Sequence, residues 1–331
     1  MVKENELLRY QEANKKCLEN LANKRIFLIG SSGLLASALK DILSKANIQY
    51  FAYSRKTKTS LQTELSKFHP DYIIHLAAIT DSKSMITEPI SVLDTTLTTL
   101  TKALRFIKDY RTVDYNPKLV YISSIEAYGL LSTNKTVKET DLSMIDSSSV
   151  RSSYPISKLA AESYCKAYAE QLKIDTCCLR LSSVFGLYHT ATDNRLYCQI
   201  VNHSLDSTDM ILKSKGLTKK SVVYTLDAAY AILYTCLYGK SSSIYNFTNP
   251  STYMTIKKQI KSIFKTLNKN CKIQYDIQSV SKTGYLPTVK FCQDISLFVK
   301  DIGFKPMTSL ESMFILEYNH RTEKITKGEL K

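Results

Sequence analysis

Residues 25–36 read Arg25-Ile-Phe-Leu-Ile29-Gly30-Ser-Ser-Gly33-Leu-Leu-Ala36. The run from Arg25 to Ile29 is a short apolar strand and the following residues have helical character, so both glycines lie at a strand-to-helix turn. Small residues in the form G-x-x-G-x-x-A allow a tight turn, a close approach of pyrophosphate and close helix packing. The start of a helix also favours bound phosphate. The stretch therefore predicts a phosphate-binding turn, with an ordinary strand-to-helix turn as the alternative.

Strand and helix patterns alternate through the next 150 residues. The predicted strands are Tyr50–Tyr53, Tyr72–Ala77, Lys118–Ser123 and Thr176–Leu181, and the predicted helices are Leu61–Phe68, Val92–Lys108 and Tyr154–Leu172. Repeated strand-helix units form a parallel sheet that is covered on both faces. We therefore predict an α/β fold with a Rossmann-like, doubly wound parallel sheet.

Three segments follow from this pattern. Residues 1–24 form an N-terminal helical extension, because Leu7, Leu8, Tyr10, Cys17 and Leu21 have helical spacing. Residues 25–186 form the nucleotide-binding domain with the candidate catalytic residues. Residues 187–331 form mainly a smaller α/β substrate-binding lobe, from which some segments can return to the first domain.

Composition narrows the possible functions. The chain has 331 residues, of which 44% are hydrophobic, and a formal net charge of +15. The charge suits nucleic acid, an anionic membrane or a phosphorylated substrate, but the lysines are spread along the whole chain, which is typical of a solvated surface. No apolar run reaches membrane-spanning length and the N-terminus is too charged for a secretory signal. We expect a cytoplasmic enzyme that binds a nucleotide diphosphate, without nucleic acid, membrane or protein-bound metal as partner.

A candidate catalytic pair lies in Tyr154-Pro-Ile-Ser-Lys158, downstream of the Ser123-Ser124 pair. Residues four apart share one helix face, so the Lys158 ammonium can lie beside the Tyr154 phenol and favour its ionised form. An ionised phenol is a general base. Such a pair is also typical of a solvated helix face, and it is the order of the glycine turn, serine pair and Tyr-Lys pair that indicates hydride transfer.

With these motifs the chain resembles the extended short-chain dehydrogenase/reductases, specifically the nucleotide-sugar, NAD-dependent epimerase/dehydratase family, with features similar to UDP-glucuronate decarboxylase-like members. The resemblance extends from Arg25 to about Glu317. The matching pieces are Gly30-Ser-Ser-Gly33, His75-Leu-Ala-Ala78, Ser123-Ser-Ile-Glu-Ala-Tyr-Gly129, Tyr154-Pro-Ile-Ser-Lys158, Arg180-Leu-Ser-Ser-Val-Phe-Gly186, Tyr224-Thr-Leu-Asp227 and Tyr245-Asn-Phe-Thr248.

The resemblance implies roles for four catalytic residues. Ser124 hydrogen-bonds the sugar oxygen, Tyr154 takes its proton, and Lys158 lowers the tyrosine pKa and contacts the nicotinamide ribose. Oxidation at C4 gives a 4-keto sugar, from which epimerisation, dehydration or decarboxylation follows. Glu126 matches a carboxylate that acts at C5, although a polar loop residue is the alternative. Ile125 stands where many hexose 4,6-dehydratases carry Asp.

Further residues are implied to bind the cofactor and the substrate. The cofactor residues are Gly30, Ser32, Gly33, Leu34, Arg55, Leu76, Ala77, Ala78, Tyr154 and Lys158, and the substrate residues are Ser124, Arg195 and Lys220. The tract Tyr53-Ser54-Arg55-Lys56 lacks the acidic residue that holds a ribose hydroxyl, and Arg55 could meet a 2′-phosphate instead, so both NAD and NADP stay open. Arg195 and Lys220 would contact the nucleotide diphosphate; a surface arginine is the alternative for Arg195.

Two rival functions stay open beside transient C4 oxidation. An NADPH-dependent 4-keto-sugar-nucleotide reductase would use the same residues and suits Arg55. A non-catalytic dinucleotide-sensing or nucleic-acid-binding module would suit the charge, but it need not keep Ser124, Tyr154 and Lys158 together. The resemblance also implies a homodimer, formed through the helices near Val92 and Tyr154, and a role in polysaccharide biosynthesis.

Overall fold

The computed structural model of the chain describes residues 1–189, 193, 195–277 and 288–329. The helices are α1 Val2–Ala13, α2 Lys15–Leu21, α3 Leu34–Lys45, α4 Leu61–Phe68, α5 Ser84–Thr87, α6 Pro89–Tyr110, α7 Ser153–Leu172, α8 Leu196–Asp206, α9 Thr225–Tyr238, α10 Ile256–Thr266, α11 Ser296–Ile302 and α12 Leu310–Thr326. The strands are β1 Ile26–Ile29, β2 Tyr50–Tyr53, β3 Tyr72–His75, β4 Lys118–Ser124, β5 Ser132–Val137, β6 Thr176–Leu181, β7 Ser183–Phe185, β8 Met210–Leu212, β9 Lys219–Lys220, β10 Val222–Tyr224, β11 Ser243–Phe247, β12 Met254–Thr255, β13 Ile273–Tyr275 and β14 Lys290–Gln293.

Six parallel strands form the main sheet in the order β11-β6-β4-β3-β1-β2. One core, on the face covered by α3 and α9, contains residues such as Leu39 and Ile232, and a second core, under α4, α6 and α7, contains residues such as Leu65, Leu104 and Ala161. Every residue of β1 is buried, as expected for a central strand of a sheet covered on both faces. The predicted Rossmann-like doubly wound sheet is confirmed.

The strand order places a binding crevice at a defined edge. The chain passes from β1 to β2 on one side and returns to β3 on the other side of β1. Ligands of open α/β sheets bind where the strand order reverses in this way, outside the carboxyl ends of the strands. The turn that begins with Gly30 follows β1 at this point.

Segments before and after residue 187 both contribute strands to the six-stranded sheet and to a second, four-stranded sheet. Strand β11 pairs with β6 in the main sheet, so the chain after residue 187 supplies an edge strand. Strand β5 pairs with β14 in a four-stranded sheet ordered β12-β9-β14-β5. None of the helices in the described part of the chain is long and apolar enough to span a membrane.

The N-terminal segment, residues 1–24, forms two helices rather than one, with the break at Asn14. The Asn14 side-chain amide donates to the carbonyl oxygen of Tyr10 at 2.8 Å. Four of the five apolar residues that predicted a helix are buried, whereas Leu8 is 47% exposed. The two helices pack on α9 and α12, so the segment belongs to the core.

Candidate active site

The turn after β1 leaves room for a phosphate group. Gly30 has a φ of +98°, and a Cβ there would lie 2.6 Å from the backbone nitrogen of Ala77, so only glycine fits. At Gly33, which precedes α3, a Cβ would meet no atom of the described residues within 4 Å. No described side chain caps the first N–H groups of α3. These groups fit the pyrophosphate of a dinucleotide.

The other predicted cofactor residues flank this turn. Leu76, Ala77 and Ala78 follow β3, and the Leu76 amide donates to the carbonyl oxygen of Ile29 at 2.8 Å. Ser32 is exposed in the turn and Leu34 begins α3. Arg55 is exposed just beyond β2. All of these residues follow the carboxyl ends of β1, β2 and β3. The predicted strand Tyr72–Ala77 ends two residues early, at His75, so Leu76 and Ala77 lie after β3 and not within it.

The structure brings three of the four predicted catalytic residues together, and Glu126 is described below. Tyr154, in the first turn of α7, is 7% exposed, and its phenol is near enough to the Ser124 side chain for that side chain to act on the phenol pKa. Lys158, one turn further, is 3% exposed, and its Nζ donates to the carbonyl oxygen of Ile122 at 2.8 Å. The same Nζ lies 5.5 Å from the centre of the Tyr154 ring. Ser124 ends β4, so a sheet edge and one helix face fix the geometry.

Burial governs the acid-base properties of this group. It raises the pKa of the Tyr154 phenol, and the negative charge of Glu126 adds to the increase. The Ser124 hydroxyl, as a hydrogen-bond partner of the phenolate, and the charges of Arg151 and Arg195 lower the pKa and so act in the opposite direction. Burial lowers the pKa of Lys158 to about 8. In the protein alone, burial therefore outweighs the effects that stabilise a phenolate, and the predicted lowering of the tyrosine pKa by Lys158 stays a prediction.

Glu126 has a partner that the sequence did not indicate. Its Oε2 lies 2.7 Å from Nη1 of Arg151, whose side chain is 6% exposed. Arg151 precedes Tyr154 by three residues, in a short 3₁₀ helix that leads into α7. The sequence did contain one signal for this contact, a basic residue, Arg151, three positions before the candidate tyrosine. Ile125 packs against an apolar cluster that includes Tyr128 and Phe291.

Besides Ser124, the other two predicted substrate residues lie around the same group. Arg195 precedes α8, and its Nε donates to Oδ1 of Asp193 at 2.9 Å. The positive charge of Arg195 partly opposes the rise that burial causes in the pKa of Tyr154. Burial lowers the pKa of Lys220, while the charge of Glu126 raises it. Asn194, in the same predicted segment as Arg195, lies outside the described residues.

One group of described residues has the donor types of a metal site. Ligand atoms of His189, Asp193 and Cys198 all lie within 4.8 Å of one another. The Arg195 guanidinium, however, contacts both His189 Nδ1, at 3.1 Å, and the Asp193 carboxylate. Because His189 and Asp193 already hold the Arg195 guanidinium, we interpret this group as a support for Arg195. The absence of a bound metal stays a prediction.

Comparison with known proteins identifies the family. A model of the NAD dependent epimerase/dehydratase family matches residues 26–247. The chain belongs to this family. A probable dTDP-glucose 4,6-dehydratase of Sinorhizobium fredii is 21% identical over 288 residues, which cover 85% of this chain and 80% of the relative.

Solved structures of similar proteins share the fold of this family member. UDP-glucose 4-epimerase from Thermotoga maritima, with UDP-glucose, has a TM-score of 0.79 at 17% identity over 91% of this chain and 99% of that chain. RMD from Pseudomonas aeruginosa, with NADPH, has 0.72 at 18% identity over 90% and 98%. UDP-glucuronic acid 4-epimerase from Bacillus cereus, with NAD, has 0.72 at 18% identity over 90% and 99%.

Family membership confirms the resemblance drawn from the motifs and the prediction of NAD or NADP as cofactor. The matched region contains β1 to β11, and with them Ser124, Tyr154 and Lys158. The N-terminal segment, residues 1–24, lies outside it. The NAD-dependent epimerase/dehydratase family includes several reactions. Which of them this chain catalyses depends on its own site residues.

Proposed function

We propose that this protein is an enzyme that transiently oxidises a nucleotide-diphosphate sugar at C4. One observation carries the proposal: the Ser124 and Tyr154 side chains lie near each other and beside Lys158, at the same sheet edge as the Gly30 turn. A hydroxyl donor, a phenolic base and a nearby ammonium are the groups that proton removal from a sugar hydroxyl needs. Bound NAD or NADP would supply the hydride acceptor.

The side chains divide the proton chemistry between them. Ser124 holds the C4 oxygen and keeps it next to Tyr154. The Tyr154 phenolate takes the hydroxyl proton, and the resulting phenol can return it when the sugar is reduced again. The Lys158 ammonium favours the phenolate form by its positive charge. Because Tyr154 and Lys158 are both almost fully buried, their interaction is weakly screened by water.

The charge balance supports a diphosphate beyond the sugar. Glu126 is balanced by Arg151, and Asp193 is balanced by Arg195. Lys220 adds one cation to this group, and Arg195, 42% exposed, can turn its remaining donors to a ligand. Guanidinium groups match phosphate oxygens with a planar set of donors. An anionic substrate end is therefore favoured on this side of the site.

The acidic groups support some outcomes more than others. Elimination of the sugar hydroxyl needs an acid for the leaving group as well as a base at C5. Ile125 is apolar and packed, so Glu126 is the single acidic residue of this turn. Epimerisation and decarboxylation need no such acid, and we propose them ahead of dehydration.

The proposal is tested by mass spectrometry of UDP-, dTDP-, GDP- and CDP-sugars incubated with the purified protein. Loss of water, loss of carbon dioxide and isomerisation without mass change distinguish the three outcomes. We expect Tyr154→Phe to lower turnover by at least about a hundredfold while NAD binding is retained, since a general base contributes 10²- to 10⁴-fold. Tyr164→Phe, an exposed tyrosine on the same helix, is the control. Near-normal turnover in Tyr154→Phe would remove this residue from its role.

One observation favours a second function, an NADPH-dependent 4-keto-sugar-nucleotide reductase. Arg55, exposed beyond β2, suits a 2′-phosphate, which NADP carries and NAD lacks. Incubation without added cofactor separates the two functions. An enzyme that regenerates its bound cofactor continues to turn over, whereas a reductase stops after one equivalent.

A further inference from the structure

Tyr188 has a strained backbone beside the candidate active site. Its φ is +87°, a conformation that residues with a Cβ rarely adopt. It follows Gly186 and Leu187 and immediately precedes His189. Strain of this kind persists only where the surroundings hold the residue in place.

The N-terminal segment is one of the neighbours that keep Tyr188 in this conformation. Nζ of Lys3, in α1, lies 4.2 Å from the centre of the Tyr188 ring and 2.6 Å from Oδ2 of Asp41. Burial raises the pKa of the Tyr188 phenol, and the neighbouring Asp41 carboxylate raises it further. The Tyr188 side chain therefore lies beside a cation from α1 and an anion from α3 that are paired with each other. A cation over an aromatic face is an attractive contact.

A second contact from α1 reaches the same turn. A Cβ at Gly186, where φ is +133°, would lie 2.4 Å from the Tyr224 ring. The centre of that ring is 5.9 Å from the centre of the Tyr10 ring. Helix α1 therefore contacts one end of the turn 186–188 directly, through Lys3 and Tyr188. It contacts the other end indirectly, through Tyr10 and the Tyr224 ring beside Gly186.

From Tyr188 the contacts continue to Arg195. The His189 ring, with its side chain 2% exposed, stacks on Phe185 at 5.3 Å. Its Nδ1 lies 2.8 Å from Oδ2 of Asp193, and Asp193 accepts from the Arg195 backbone N–H at 3.0 Å and from its Nε at 2.9 Å. Tyr188 is thus the chain neighbour of His189, whose ring contacts the carboxylate that binds Arg195.

We propose that the N-terminal segment positions Arg195 for the nucleotide end of the substrate, through Lys3 and Tyr188. The inference rests on the proposed function, in which Arg195 contacts the diphosphate. Lys3 and Tyr188 are positioning residues, because neither contacts the reacting atoms. The segment lies outside residues 26–247, the region that the family model matches.

The test is a double-mutant cycle read by calorimetric binding of UDP, with dTDP, GDP and CDP as further probes. We expect Lys3→Met to weaken binding of the nucleoside diphosphate about two- to fivefold, the value of one cation–aromatic contact. Binding of NAD is expected to stay unchanged, which a general loss of folding would not allow. Lys16→Met, an exposed lysine of α2, is the charge-matched control and should bind as the wild type does.

The cycle is completed by Arg195→Ala. Adding Lys3→Met to this variant should weaken binding no further, because the residue that Lys3 positions is gone. Additive losses, or no loss in Lys3→Met, overturn the inference while the proposed function stands. A wild-type protein that binds none of the four nucleoside diphosphates overturns both.

Discussion

The Lys158 ammonium is buried, and keeping its charge away from water destabilises the folded protein. It is 3% exposed, and burial lowers its pKa to about 8. The carbonyl oxygen of Ile122 and the Tyr121 ring, whose centre is 5.0 Å away, offset part of this cost. Residues that destabilise a fold in this way are typical of active sites, where function and stability conflict.

We predict that Lys158→Met stabilises the protein by about 1–3 kcal/mol at neutral pH and abolishes turnover. The unfolded chain has the ordinary lysine pKa, so it binds more protons than the folded chain from about pH 8 upward, and wild-type stability rises with pH there. The stability difference between variant and wild type should therefore be largest below pH 8 and shrink above it. Urea denaturation at several pH values measures it. A less stable variant at pH 7 would contradict the prediction.

At the scale of elements, one buried carboxylate joins three parts of the chain. Oδ1 of Asp227, in α9, accepts from the Tyr10 hydroxyl at 2.8 Å and from the Met307 amide at 2.9 Å, and Oδ2 accepts from the Thr308 amide at 3.1 Å. Burial raises the pKa of Asp227 to about 6, although these hydrogen bonds lower it. Helix α1 and the loop before α12 are thereby fastened to α9.

We predict that Tyr10→Phe lowers the free energy of unfolding by about 1–3 kcal/mol, because it removes one donor from a buried carboxylate. The ring still fills its place beside Tyr224 and Tyr230. The control is Tyr110→Phe, whose side chain is 54% exposed at the end of α6. Chemical denaturation compares the two variants. An equal effect of both would show that the Asp227 contact does not hold α1.

At the scale of the molecule, the sequence predicts best where structure is local. Strand β2, helix α4 and strand β6 match their predicted bounds at both ends, because short runs rich in aromatic and apolar residues indicate strands and surface helices have periodic apolar residues. The first helix was predicted as one because its apolar spacing passes through Asn14 without a strong break signal.

Long-range contacts could not be predicted in the same way. Strands β9 and β12 have two residues each and depend on partners far along the chain. The Glu126 and Arg151 contact joins segments 25 residues apart in sequence, and local periodicity carries no information on it. Ser124, Tyr154 and Lys158 were found because each motif lies at a strand end or helix start, and a shared sheet edge brings them together.

The outward face of α7 supports the homodimer that the resemblance implies. Ile156 and Tyr164 are 36% and 43% exposed, and the small residues Ala160 and Ala167 lie on the same side at helical spacing. Helix α6 packs directly beside α7 on this face of the sheet. A contiguous apolar helix face that stays exposed is typical of an interface with another protein.

We predict that the purified chain is a dimer at micromolar concentration and that Tyr164→Glu makes it a monomer, because two carboxylates would be buried near each other without partners. Leu142→Glu, at a position 87% exposed outside these helices, should leave the dimer intact. Size-exclusion chromatography with light scattering measures both masses. Tyr164 lies three turns of α7 from Tyr154, so the monomer should still bind NAD. A wild-type monomer, or a Tyr164→Glu variant that stays dimeric, would show that this face is not the interface.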